Sequence, residues 1–183
     1  MDHYIDIKII PDAEMRENAL LNKVYTKFHK ALFDLKSNRI GVSFPEYHVK
    51  LGKLIRVHGE QSILNDFQGS NWLSGLSGYC KVSDIVKVPE KCKHRVISRK
   101  QANMTESKLR RLIKRGSIKP EEIKAYKAKM FSQGLDHAFL ELDSGSNGHN
   151  HRRFIEFGHL LEKALAGEFD QFGLSKTATI PWF

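Results

Sequence analysis

The chain has 183 residues, 40% of them hydrophobic and 28% charged, and a formal net charge of +9 at pH 7. Such a composition is typical of a globular protein with one large or two small domains. No apolar run approaches the roughly 18 residues of a membrane span, and the first residues lack the basic and apolar regions of a signal peptide. We therefore expect a cytoplasmic protein with no membrane partner.

Six segments with regular hydrophobic periodicity lie within residues 1–90. They are strands over residues 4–10, 40–44, 54–58 and 79–88 and helices over residues 14–36 and 61–76. The order strand, helix, strand, strand, helix, strand is that of a ferredoxin-like lobe. Many RNA-binding modules share this order with unrelated proteins, so it does not by itself indicate a function.

His29 lies on the first predicted helix. The apolar positions of that helix cluster on one arc, and His29 lies roughly 100° from its centre at 100° per residue. We expect the side chain at the margin of the buried face, neither fully exposed nor in the core. For a single histidine in this setting, a surface residue without a function is the commoner interpretation.

The positive charge is concentrated after Pro89. Residues 91–130 hold 14 basic and three acidic residues, a balance of +11, whereas the rest of the chain holds 16 basic and 18 acidic residues. This change of composition and Pro89 place a domain boundary near residue 90. We predict an α+β protein with a ferredoxin-like domain over residues 1–90 and a smaller α+β RNA-binding domain over residues 91–183.

A short basic helix forms the centre of this segment. Leu109, Leu112 and Ile113 fall on one arc and should be buried. The opposite arc carries five cations, namely Lys108, Arg110, Arg111, Lys114 and Arg115. Thr105 can cap the start of the helix and Gly116 can end it. No acidic residue follows any of these cations at i+3 or i+4, which favours an external polyanion, most simply nucleic acid, over a merely solvated face.

The remaining segments are short. Residues 94–101 have an extended pattern, and a further helix begins at Pro120 and runs to about Met130. Strands over residues 139–142 and 154–157 flank the turn-rich loop Ser144–Gly148.

Motifs for metal or nucleotide chemistry are absent from the sequence. Cys80 and Cys92 form no Cys-x-x-Cys pair, and no phosphate-cradling loop, His-Glu-x-x-His or nucleophile elbow occurs. The run His149-Asn150-His151 is a poor metal site because metal ligands normally converge from spaced positions with supporting carboxylates. We expect neither a metal nor a cofactor.

RNA cleavage needs no metal when the substrate's own 2′-hydroxyl attacks the neighbouring phosphate. A neutral histidine suits the proton transfer, and a serine can orient the hydroxyl by a hydrogen bond. The chain has nine histidines and several loop serines, so this reasoning does not choose among them.

Several segments, taken in order, resemble one known family from end to end. They are Met1–Tyr4 with Asp6-Ile7, Lys27–Leu32, Asn38–Pro45, Val96–Ala102, the basic helix, Ser144-x-Ser-x-Gly148, and Gly173–Lys176 with Pro181–Phe183. Their order and spacing are similar to those of the CRISPR repeat-processing endoribonuclease of the type I-F (Csy) system. No single segment is decisive, but the combination is highly specific.

The resemblance implies roles for individual residues. His29 matches the catalytic histidine and Ser144 the serine that orients the nucleophilic hydroxyl. Arg99 and Gln101 match an arginine and a glutamine that read base edges at the foot of the repeat hairpin, a pairing that suits guanine and adenine. The basic helix, with Arg111, Lys114 and Arg115, matches the helix that lies in the major groove of the hairpin.

Four positions depart from the family pattern. Gly116 ends the basic helix where the family has another basic side chain. His151 stands where an aromatic residue stacks beneath the last base pair, and Phe172 stands where the family has a tyrosine near the catalytic histidine. Lys114 occupies a position where arginine is usual.

The resemblance also implies the overall reaction and the partners. The chain would bind the repeat hairpin of precursor CRISPR RNA and cut at its 3′ base, leaving a 2′,3′-cyclic phosphate and a 5′-hydroxyl. It would then remain on the guide RNA with the other subunits of the type I-F surveillance complex. The alternatives are a guide-RNA hairpin-binding subunit that does not cleave and a ribosome-associated RNA-binding protein.

Overall fold

The computed structural model describes residues 1–101, 104, 106–134, 137–143 and 150–183. These residues form two antiparallel sheets and four α-helices, so the predicted α+β class is confirmed. The predicted cap Thr105, His149 and the loop Ser144–Gly148 lie outside the described residues.

The first sheet comes from residues before Pro89. Its strands are β1 (His3–Ile9), β2 (Gly41–Ser43), β3 (Leu54–Gly59), β4 (Cys80–Val82) and β5 (Val86–Lys87). They follow the order β2-β3-β1-β4, with β5 also on β1, and every pair is antiparallel. Helix α1 (Glu17–Leu35) connects β1 to β2, and helix α2 (Gln61–Gly69) follows β3. The first six elements thus occur in the predicted order.

Two predicted boundaries in this half were wrong. The second helix ends at Gly69 instead of Leu76, because Asn71 and Gly75 adopt positive φ angles of 49° and 77° that a helix cannot contain. The predicted strand over residues 79–88 is split into β4 and β5. Between β4 and β5, the Asp6 N–H of β1 donates to Ser83 Oγ at 2.9 Å. A side-chain oxygen thus takes the place of a backbone carbonyl as the acceptor, and the regular strand pairing is interrupted.

The second sheet is built from strands later in the chain. They are β6 (Lys93–Lys100), β7 (Phe139–Asp143), β8 (Asn150–Leu161) and β9 (Thr179–Trp182), in the order β7-β8-β6-β9. Helices α3 (Glu106–Lys114) and α4 (Pro120–Gly134) lie between β6 and β7 in sequence. Strand β8 is much longer than predicted, and β9 was not predicted at all. Both differences arise from β6, which pairs with β8 on one side and with β9 on the other.

The buried apolar residues of the described chain, except Leu109, form one core that extends across both halves. Its largest side chains, including Tyr25, Phe28 and Phe44, come from the first half, whereas Ile97 and Ile155 come from the second sheet. Burial of such side chains is the main source of stability, at roughly 1.5–3 kcal/mol for each large one. The division into two domains at residue 90 stays a prediction.

Arg56 links the end of the chain to the first sheet. Its Nε and second terminal nitrogen donate to the two carboxylate oxygens of Asp6 at 2.6 and 2.9 Å, and its other terminal nitrogen donates to the Phe183 carbonyl at 3.0 Å. The guanidinium also lies over the rings of Tyr4 and Phe183, at 4.5 and 4.1 Å. A buried arginine with a bidentate carboxylate and two aromatic faces holds the last residue in one position.

His58 is a fully buried histidine on β3. Its Nε2 lies 2.8 Å from Ser43 Oγ, while its Nδ1 has no hydrogen-bond partner among the described residues. Burial, and then the positive charges of Arg56 and the amino terminus, lower the pKa of His58 from 6.5 to about 3. The folded protein therefore keeps this imidazole neutral at physiological pH.

Protonation of His58 should weaken the fold as the pH falls. The unfolded chain takes up the proton near pH 6.5 and the folded chain only near pH 3, so the stabilisation is complete above pH 6.5 and is lost progressively below it. One such group contributes a slope of about 1.4 kcal/mol per pH unit between these values. In urea titrations from pH 4 to 7, His58→Gln should be less stable than wild type at pH 7 yet lose less stability on acidification. Equal slopes for the two proteins would contradict the assignment.

Candidate active site and nucleic-acid interface

His29 lies half-buried on α1, at the margin of its apolar face as predicted. Its Nδ1 is 2.7 Å from the backbone carbonyl oxygen of Gln171. Because a carbonyl oxygen only accepts hydrogen bonds, Nδ1 must carry the hydrogen, and the neutral ring then has its lone pair on Nε2. This is the tautomer that a general base requires, with one nitrogen anchored and the other able to take a proton.

The aromatic ring of Phe172 lies flat against the His29 imidazole. The ring centroids are 3.7 Å apart and the planes differ by 10°. The Phe172 carbonyl accepts a 2.7 Å hydrogen bond from the Tyr25 hydroxyl, and burial raises the pKa of Tyr25, so this phenol remains a protonated donor. Residues on either side of the imidazole therefore restrict both its tautomer and its orientation.

The segment that holds His29, residues 169–174, is here called the clamp loop. Asp170 Oδ1 accepts the N–H groups of Phe172 and Leu174 at 2.8 and 3.0 Å, which closes a tight turn. Gly173 follows with φ of +69°, and a Cβ at this position would lie 3.0 Å from the Phe28 ring on α1. The Gly173 carbonyl accepts the Val42 N–H at 3.0 Å. Glycine is required here by both the left-handed backbone and the close approach to α1.

Arg99 and Gln101 lie beside the clamp loop. Both are exposed, Arg99 near the end of β6 and Gln101 directly after it. With Phe172 and other clamp-loop residues they line a groove of about 540 Å³. Two predicted site residues, Arg99 and Gln101, thus share a groove with the loop that orients the third, His29.

Arg153 lines the same groove and was not predicted as a site residue. It lies on β8 opposite Leu140 of β7, and its side chain is only 5% exposed. Its Cζ is 3.4 Å from the Phe172 ring centroid. Burial lowers the pKa of its guanidinium, with the charge of Arg99 acting in the same direction and the Tyr25 and Asp170 groups opposing. Residues two apart in a strand face the same side of the sheet, so Arg153 faces the same side as the buried Ile155. The sequence did not reveal this because the predicted strand began only at residue 154.

The predicted basic helix exists as α3. The five side chains Lys108, Arg110, Arg111, Lys114 and Arg115 are exposed. Leu109 is only 1% exposed, but Leu112 is half-buried and Ile113 is 46% exposed, so the predicted three-residue buried stripe holds only at Leu109. The helix ends at Lys114, and Gly116, which was predicted to end it, follows with a φ of +66°.

Two further predicted residues have different outcomes. His151 lies exposed near the start of β8, opposite Leu142 of β7. Ser144, the predicted partner of His29, belongs to the segment outside the described residues. Its proximity to His29 stays a prediction.

Within the described residues, no group of three or more His, Cys, Asp and Glu side chains is placed to hold a metal ion. In the same part of the chain, no helix is both long and apolar enough to cross a bilayer.

The chain was compared with known proteins. Residues 4–183 match the family model described as CRISPR-associated protein (Cas_Csy4). The "CRISPR-associated endonuclease Cas6/Csy4" of Escherichia coli (strain UTI89 / UPEC) is 38% identical over 184 residues, and the protein of the same name from Pseudomonas aeruginosa (strain UCBPP-PA14) is 36% identical over 187 residues. Both alignments cover 100% of each chain.

Among solved structures, a "CRISPR RNA processing endoribonuclease Cas6b" is 10% identical with a TM-score of 0.34, covering 98% of this chain and 100% of the other. A likeness of that degree does not establish a shared fold. The family match and the two full-length relatives do establish kinship, and they confirm the resemblance found in the sequence motifs. This chain belongs to the Cas_Csy4 family of CRISPR-associated proteins.

Proposed function

We propose that this chain is an endoribonuclease that binds the repeat hairpin of precursor CRISPR RNA and cuts it at the 3′ base of the stem. The observation that carries the proposal is the setting of His29, whose Nδ1 is anchored to Gln171 beside a groove lined by Arg99 and Gln101. The two full-length relatives are both named as endonucleases, which supports the same conclusion.

The reaction begins when the 2′-hydroxyl oxygen next to the scissile phosphate attacks phosphorus. His29 Nε2 takes the hydroxyl proton, the P–O5′ bond breaks, and the leaving oxygen takes a proton from water. The products are a 2′,3′-cyclic phosphate and a 5′-hydroxyl. Ser144 orients the hydroxyl, and the chemistry draws on no metal or cofactor because the substrate supplies its own nucleophile.

Binding of the hairpin divides between two surfaces. The exposed cations of α3 attract the phosphates of the stem. Arg99 and Gln101 read base edges at the stem foot, and His151 lies beneath the last base pair. After cleavage the protein stays on the upstream product, which ends in the cyclic phosphate and is the guide RNA, as a subunit of the type I-F surveillance complex.

Removal of the His29 imidazole should abolish most cleavage but not binding. General acid–base catalysis by one side chain contributes roughly 10²–10⁴-fold, so His29→Ala should slow single-turnover cleavage of the cognate repeat RNA by that factor. Hairpin affinity, measured by titration, should change less than threefold. Cleavage by wild type should survive EDTA and should stop when the nucleotide 5′ of the scissile phosphate is 2′-deoxy. Loss of cleavage on chelation, or normal cleavage of the 2′-deoxy RNA, would refute the mechanism.

The flat face of Phe172 should matter more than its chemical identity. Phe172→Tyr retains the ring that lies on His29 and should cleave within about threefold of wild type, whereas Phe172→Leu leaves the imidazole free to tilt and should slow cleavage on the order of tenfold. Phe33, exposed one turn further along α1, offers a matched control as Phe33→Leu, with cleavage expected at the wild-type rate. Equal rates for Phe172→Leu and Phe33→Leu would show that the stack has no catalytic role.

Substitutions in α3 should weaken binding to any RNA hairpin, whereas substitution of Arg99 in β6 should weaken binding to the cognate sequence. Arg111→Ala removes a phosphate contact and should weaken cognate and scrambled-stem hairpins alike. Arg99→Ala should weaken the cognate hairpin by roughly 1–3 kcal/mol more than one with its basal pairs exchanged. Titrations of both variants against both hairpins at two salt concentrations measure this. The assignment is wrong if Arg99→Ala weakens the two hairpins equally, or if Arg111→Ala weakens only the cognate one.

A further inference from the structure

Arg153 is a buried cation without an ionic partner in the described part of the chain. Its side chain is 5% exposed, its Nε has no hydrogen-bond acceptor there, and no carboxylate there lies within salt-bridge distance. Arg56, which is similarly buried, has the Asp6 carboxylate and the Phe183 carbonyl. A buried charge without such a partner costs free energy unless something else neutralises it.

The position of Arg153 in the sheet directs it toward the groove. Lys100 on β6 pairs with Phe154 on β8, so the next residue of each strand, Gln101 and Arg153, are neighbours across the two strands. Arg99 pairs with Ile155 and therefore faces the same side of the sheet as Arg153. All three polar side chains line one groove.

The groups around the guanidinium do not neutralise it. Asp170 is the acid that opposes its desolvation, but Oδ1 of that carboxylate already accepts two backbone N–H groups of the clamp loop. Three cations, Arg99, Arg153 and Lys176, and two acids, Glu168 and Asp170, line the groove, so its formal charge is positive (+3 − 2 = +1). The site therefore favours an anion that comes from outside the protein.

Phe172 sets the distance between this cation and His29. The imidazole lies 3.7 Å from the ring centroid and the guanidinium carbon 3.4 Å from it. Two groups stacked this closely cannot share one face of a ring, so Phe172 lies between them. An anion on Arg153 is thus near the reacting centre without touching the His29 ring.

We propose that Arg153 is a substrate-binding residue that holds a phosphate at the foot of the RNA stem, on the 5′ side of the scissile phosphate. This inference rests on the proposed function and adds one phosphate contact inside the groove. In this proposal the RNA strand runs from the bases read by Arg99 and Gln101 toward His29. Arg153 lies between those two side chains and His29. A planar guanidinium suits the role because it can lie on Phe172 and still donate to phosphate oxygens.

The test replaces the charge while keeping the apolar stem. Arg153→Met should bind the cognate hairpin about tenfold more weakly at 0.1 M salt, on the order expected for one charged hydrogen-bonding contact. The slope of log Kd against log salt should fall by about 0.7–0.9, the change expected for one lost phosphate contact. The melting temperature of the free protein should be equal or higher, because an unpaired buried charge has been removed.

Arg95 provides the matched control. It also lies over aromatic rings, those of Phe157 and Trp182, but its Nε donates to the Gly158 carbonyl at 2.6 Å. Arg95→Met should lower the melting temperature and leave the salt slope unchanged. If Arg153→Met behaves like Arg95→Met, the role of Arg153 is structural and the proposal is overturned.

Replacing single RNA phosphates by uncharged methylphosphonates identifies which phosphate Arg153 contacts. Single methylphosphonates along the 3′ strand should weaken binding to wild type at several positions, but at the position held by Arg153 they should not weaken binding to Arg153→Met any further. Arg153→Lys retains the charge and should keep the wild-type salt slope, which provides a second variant if the methionine variant folds poorly. If the affinity losses from Arg153→Met and from the methylphosphonate add at every position, the Arg153–phosphate contact is refuted but the proposed function is not. If wild type does not bind the hairpin at all, the proposed function is refuted as well.

Discussion

The candidate site depends on the close packing of the clamp loop against α1. Gly173 lets the backbone approach so closely that a Cβ would lie 3.0 Å from the Phe28 ring, and the Tyr25 hydroxyl holds the Phe172 carbonyl from the same helix. These contacts bring the Gln171 carbonyl to the imidazole of His29. The tautomer of the histidine thus follows from how a distant loop packs on the helix, since the helix alone leaves both ring nitrogens equivalent.

A continuous core makes this packing rigid. Residues of both sheets contribute to the same set of buried side chains, and β9 lies against β6 while Phe183 is held by Arg56 from the first sheet. The end of the chain is therefore attached to both sheets. Because a close-packed core resists small displacements, the clamp loop and the end of β6 keep a constant separation across the groove.

The cations of the protein occupy two different environments. Those of α3 are exposed, where salt screens their attraction and where they suit a phosphate backbone of any sequence. Arg153 is buried beside Phe172, where the low dielectric strengthens a contact with an anion and makes the lone charge costly. In the RNA enzyme that we propose, the first group would gather the hairpin and the second would position the strand at the reacting centre.

Local patterns in the sequence determined the order of helices and strands in the first half and the marginal position of His29, because hydrophobic period and terminal residues act within a few neighbours. The motifs also indicated the family. Only the tertiary structure decided that Phe172 and Gln171, more than 140 residues further along the chain, meet His29. It likewise decided that Arg153 is buried while Ile113 is exposed, because burial depends on which strand or helix covers a face, and that partner is remote in sequence.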